Sequence, residues 1–114
     1  MAGRDINIRV EITDNAEEVL AALPTAIKRA LWAMGAAAEG HAKQNAPVDT
    51  GRLRNSITHK EGERETVIGS NVEYAAAQEL GTSRGIRPKH YLKNAVANHT
   101  AEYKELVKQS LANV

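Results

Sequence analysis

The sharpest chemical pattern in the chain is Asp49-Thr50-Gly51, a carboxylate held in a bend before a flexible glycine. Two such loops facing each other across a dimer share one proton, because like charges that close cannot both ionise, and the pair can drive peptide hydrolysis. The other titratable groups are scattered. His41, His59, His90 and His99 have no ligand-like spacing with one another or with a carboxylate pair, so no metal site is predicted. His41 and Glu39 are too close in sequence to share a helix face. The absence of cysteine excludes a disulfide, a thiol nucleophile and a Cys-based zinc site. No serine elbow, P-loop or dinucleotide fingerprint occurs, and no cofactor is expected. The segment Thr82-Ser83-Arg84-Gly85-Ile86-Arg87-Pro88-Lys89 holds three positive charges and no negative one. It reads as a solvated loop or a contact to an acidic partner surface, with DNA phosphates as the alternative.

A single Asp-Thr-Gly in a chain of 114 residues fits a homodimeric, retroviral-type aspartic protease, and Ile68-Gly69-Ser70-Asn71 faintly echoes the second motif of that group. The surroundings disagree. Those enzymes are almost entirely β, whereas this triplet follows a long alanine-rich helical pattern and precedes Arg52 rather than a small residue. The competing reading is a helix start: Pro47 ends one helix, Asp49 or Thr50 caps the next turn, and Gly51 relaxes the backbone. Three-residue motifs match often by accident, so the bend reads as structural.

The elements that position these residues belong to an ordinary globular chain, 42% hydrophobic and 25% charged. One domain over residues 1–114 is expected. With no Phe and only 4% aromatics the core must be aliphatic and thin, so burial against neighbouring subunits could supply stability that a lone copy lacks. The formal charge of +1, from 15 Lys and Arg against 14 Asp and Glu, argues against dedicated duplex-DNA binding, which needs a basic excess to neutralise phosphates. Residues 1–10 alternate in polarity rather than forming an apolar run, unlike a signal peptide. No stretch approaches the roughly 20 apolar residues of a membrane span. A soluble chain made in a cytoplasm is expected, with no membrane partner.

Ile6, Ile8, Val10 and Ile12 alternate with polar residues, the period of a strand with one buried face. Asp14 and Glu17 have capping-box spacing, which predicts a helix from near Asn15, and Pro24 marks a kink or a fresh helix start. From 25 to 45, Ile27, Leu31, Met34, Ala38, His41 and Asn45 recur at four-three spacing, beside a small-residue stripe of Ala26, Ala30, Ala33 and Ala37. Residues 56–60 and 65–70 read as a hairpin around Glu61-Gly62-Glu63-Arg64. Residues 72–80 predict a short helix ended by Gly81. Leu92, Val96, His99, Tyr103, Leu106 and Ser110 predict one continuous C-terminal helix. The order implies an α+β fold: a small antiparallel sheet packed against two long helices, with a short third helix. Trp32 lies one position off the apolar stripe, as a buried core edge or as an anchor in a subunit interface. Gly35 and Gly40, each less favourable than Ala in a helix by about 1 kcal/mol, point to close approach by another backbone.

Taken in order, these pieces resemble one family. Ala46-Pro47-Val48-Asp49-Thr50-Gly51-Arg52-Leu53-Arg54-Asn55-Ser56-Ile57 is similar to its hallmark, followed by Val67-Ile68-Gly69-Ser70-Asn71, Tyr74-Ala75, Glu79-Leu80-Gly81-Thr82 and Arg87-Pro88-Lys89-His90-Tyr91-Leu92. This is the gene-ten-like tail-component family of lambdoid siphophages and prophages, also called neck or head–tail joining proteins. The likeness runs from about residue 25 to 112. Two mild departures occur, Leu80 in place of a frequent aromatic and Tyr91 in place of Phe. The resemblance implies a non-catalytic virion subunit in a homo-oligomeric ring, between neck, head-closure and tail-terminator proteins, assembled in the host cytoplasm. It implies that Pro47, Asp49, Thr50, Gly51, Leu53, Ser56 and Ile57 form a structural corner, with Leu53 and Ile57 packing inward. It also implies that Glu79, Gly81 and Thr82 orient the loop of Arg84, Arg87, Pro88 and Lys89 toward a neighbour or toward DNA in the channel.

Overall fold

The computed structural model of the chain describes residues 6–11, 23–47 and 51–112. The capping box at Asp14 and Glu17 lies outside the described residues, as do Asp49 and Thr50. Three strands, β1 (Ile6–Glu11), β2 (Thr58–Glu61) and β3 (Glu65–Ser70), form an antiparallel sheet in the order β1-β3-β2. The alternation of β1 sets its register: Ile8 pairs with Ile68 and Val10 with Thr66. These residues face the helices, while Asn7 and Arg9 lie exposed on the opposite face, with half-buried Val67 and with Gly69, which Asn7 covers.

Helix α1 (Pro24–Asn45) starts at a proline, whose fixed φ suits the first helical position. It crosses β2 and β3. Its buried face takes Ala26 and Ala30 from the small-residue stripe, Leu31, Met34 and Ala38 from the larger one, and Ala42 from neither, while Ile27 and His41 lie half-buried at the rim. Gly35 is buried beneath the sheet, where a Cβ would come within 2.6 Å of both His59 Cδ2 and Thr66 Oγ1. The close approach inferred from sequence is therefore real at Gly35, and made by side chains rather than backbone. At Gly40 nothing lies within 4 Å.

Beyond α1 come α2 (Arg52–Ser56), α3 (Ala75–Leu80), α4 (Tyr91–Ala97) and α5 (Thr100–Ala112). Helix α4 packs on α1 and β1, and α5 runs along α1. The core is largely aliphatic, with Leu31, Met34, Ile57, Ile68 and Leu92 all at most 1% exposed, but it is not wholly so: Tyr91 and Tyr103 are buried in it too. Burying each such side chain contributes roughly 1.5–3 kcal/mol. The fold is α+β, a three-stranded antiparallel sheet packed with two long helices.

Three boundaries differ from expectation, the first being that α3 begins at Ala75 rather than at residue 72. Ser56 ends α2 rather than starting a strand, and β2 begins at Thr58. The C-terminal helix is broken at Asn98 and His99. Asn, His and Thr are weak helix formers, and Asn and Thr favour caps, so Asn98-His99-Thr100 is where the chain gives way. The break leaves α4 carbonyls without helical partners, and the Tyr103 hydroxyl donates to the Ala95 carbonyl across it. Tyr103 and Val107 are buried against α1.

Candidate assembly site

The corner after α1 is built from backbone shape and remote polar pairs. Gly51 takes φ 80°, a left-handed conformation that glycine adopts without strain, and its carbonyl accepts from Asn55 N at 2.9 Å to open α2. Leu53 and Ile57 are buried in the core. Ser56 Oγ donates to the Leu53 carbonyl at 2.6 Å and lies 2.5 Å from Ser70 Oγ, which accepts from Val72 N at 3.1 Å. Ser56 thus ties α2 to the end of β3. Arg54 Nε donates to the Lys43 carbonyl at 3.1 Å, tying α2 back to α1. Arg52 forms a two-pronged pair with Glu73, both contacts at 2.8 Å, and lies over the Tyr74 ring at 5.7 Å. That pair is more than half exposed on each side, so it adds geometry more than stability. Pro47 is half-buried at the exit of α1.

A second joint surrounds Glu79. Its side chain is 1% exposed. Oε1 accepts from Leu92 N at 2.7 Å and Oε2 from Lys93 N at 3.2 Å, so one carboxylate caps the first turn of α4 from a different helix. The residue at the usual capping position, His90, has φ 49° and makes no side-chain cap. Its Nδ1 is buried without a hydrogen bond, 3.6 Å from Glu79 Oε2. The Tyr91 hydroxyl donates to the Ala75 carbonyl at 3.0 Å, fastening α4 to α3 a second time. Burial, first, and the nearby Glu79 charge push the Tyr91 phenol well above its ordinary range, keeping it a neutral donor.

Residues 82–89 are therefore an excursion with both feet fixed. Gly81 stops α3 at φ 76°, and a Cβ there would lie 2.8 Å from both the Ile86 carbonyl and Pro88 Cδ. Lys89 N and His90 N return to the Gln78 and Glu79 carbonyls at 2.8 and 3.2 Å. Within the loop, Thr82 N donates to the Ile86 carbonyl at 2.9 Å. Every residue from 82 to 89 is exposed, Arg84, Arg87, Pro88 and Lys89 included. Among the described residues no carboxylate pairs with Arg84, Arg87 or Lys89, and Lys89 Nζ reaches only the Arg87 carbonyl at 3.1 Å.

Trp32 is 58% exposed on α1 and meets His59 of β2 edge-on at 6.0 Å. Behind it, Glu39 accepts from His59 Nδ1 at 2.8 Å and pairs with Lys43 at 2.9 Å. Burial works to raise the Glu39 pKa, but the hydrogen bonds from Lys43 and His59 outweigh it and the net shift is downward. Sequence reasoning missed this pairing, the Arg52–Glu73 pair and the Glu79 cap, since each joins residues 13 or more positions apart. One signal was legible for the cap: α4 begins without Ser, Thr, Asp or Asn before it, so its acceptor must come from elsewhere.

Fold and site together define a class. This is an α+β packing unit whose buried polar groups hold its own joints and whose unpaired cations ride on a tethered loop. The family model described as "Bacteriophage HK97-gp10, putative tail-component" matches residues 10–81, and the chain belongs to that family. It is a structural tail component of a bacteriophage. The matched span contains the corner and the Glu79 motif as far as Gly81, while the basic loop, α4 and α5 lie beyond it. No curated protein and no solved structure matches the chain. No helix of the described residues is long and apolar enough to cross a membrane.

Proposed function

We propose that this chain is a non-catalytic ring subunit at the neck of a tailed phage, one 114-residue connector domain per copy. The observation that carries this reading is the division of labour around Glu79. The motif's buried acid has a backbone amide on each of its two oxygens, and what it positions is a wholly exposed basic loop. A residue used for chemistry would keep a free face. Closing a ring needs two different surfaces that meet, and the exposed Trp32 flank and the 82–89 loop supply two. The partners on this reading are other copies, head-closure proteins and tail-terminator proteins. One helix ends at Asn45 and another begins at Arg52, and helices on both sides of Asp49 in the sequence support a structural bend over a proteolytic carboxylate. Imaging of intact particles tests the reading. A ring of this chain at the neck is expected, and a finished virion without it overturns the proposal.

A second reading is favoured by the unpaired cations Arg84, Arg87 and Lys89: an accessory contact to DNA in the channel. It expects salt-sensitive binding to free DNA that reversal of those three charges abolishes.

A further inference from the structure

His41, His99 and Glu102 converge where α1, the turn after α4 and the first turn of α5 meet. His41 Nε2 lies 2.8 Å from Glu102 Oε1, and His99 Nδ1 lies 3.6 Å from the same oxygen. One ligand-capable atom from each of the three residues lies within 4.8 Å of the other two. We propose that these residues form a binding site for one first-row transition ion of the zinc class, bridging α1 and α5.

The donor set carries the assignment. Two imidazole nitrogens and one carboxylate oxygen are ligands zinc takes, with a fourth position left to water. His99 and Glu102 are spaced i, i+3, so both reach one face of the first turn of α5, and the third ligand comes from the packed helix. The side chains are 21%, 33% and 44% exposed for His41, His99 and Glu102, enough for an ion to enter and for water to complete the shell. Zinc–nitrogen bonds of about 2.0 Å in a tetrahedron put donors roughly 3.3 Å apart, a distance that side-chain rotation can reach from the present spacing. The rings are now stacked, with centroids 3.5 Å apart and planes within 5°, so one must swing for both to face a common ion. His99, in the turn and more exposed than His41, is the ring that moves. The site belongs to this chain alone and does not depend on the ring proposal.

Zn2+ titration of the folded full chain by calorimetry, with NMR of the histidine ring protons, tests it. The expected result is one ion per chain, with His41 and His99 resonances shifting together in the unaltered protein. His41→Ala, His99→Ala and Glu102→Gln each weaken binding by about tenfold or more, and His59→Asn does not. Binding also weakens on acidification, because a ligating imidazole must be deprotonated. Absence of saturable binding overturns the proposal. So does binding that survives the His41→Ala/His99→Ala double variant or that disappears with His59→Asn.

Discussion

Glu79 is 1% exposed and bonded to two backbone amides, whereas every residue from 82 to 89, a few positions on, is exposed, with three cations that no described carboxylate neutralises. Adjacent letters of one motif thus have opposite physical situations. The carboxylate gives up water and is repaid in hydrogen bonds from the start of α4. The loop keeps its water, and its stability depends only on where its ends are held. A family motif can therefore join a building part to a contacting part, and burial separates them.

Perturbing the interior should be costly and perturbing the loop nearly neutral to folding. Glu79→Ala orphans the amides of Leu92 and Lys93, and a loss of about 3 kcal/mol in urea unfolding is expected. Gly35→Ala drives a methyl into His59 and Thr66, for a loss of about 2 kcal/mol in the same assay. Gly40→Ala meets nothing and should instead gain about 1 kcal/mol, so equal effects at the two glycines would erase the interior–exterior distinction. Tyr91→Phe removes the hydrogen bond to Ala75, for about 1 kcal/mol.

Glu39 gives a pH-dependent version of the same test. Its folded pKa lies below the unfolded value of 4.5. Its contribution is therefore present above that value and lost as pH falls through the lowered folded one. Melting curves of Glu39→Gln should accordingly lose less stability between neutral and acid pH than those of the unaltered chain. The smallest effect on folding is expected from Arg84→Glu/Arg87→Glu/Lys89→Glu, within about 0.5 kcal/mol.

What the sequence disclosed follows from the range of the forces. Periodicity is local, and it placed β1 and α1 because each buries one repeating face, while a polar turn marked β3 and a glycine marked the end of α3. It failed at Asn98 and His99, where the apolar stripe continues in register across a break that weak helix formers impose. The polar joints were invisible for a different reason. The His41–Glu102 contact spans 61 positions and the Arg52–Glu73 contact spans 21, and no local rule links them. Trp32 was ambiguous because a lone aromatic at a stripe edge suits either side of it, and only its exposure of 58% decides that it is not core in the single chain.

The most direct test of the account is the amount of folded chain carrying Arg84→Glu/Arg87→Glu/Lys89→Glu that enters assembled particles. The account predicts unchanged melting and a chain missing from the virion, because the loop acts outward. Full incorporation of that variant, or its failure to fold, would contradict it.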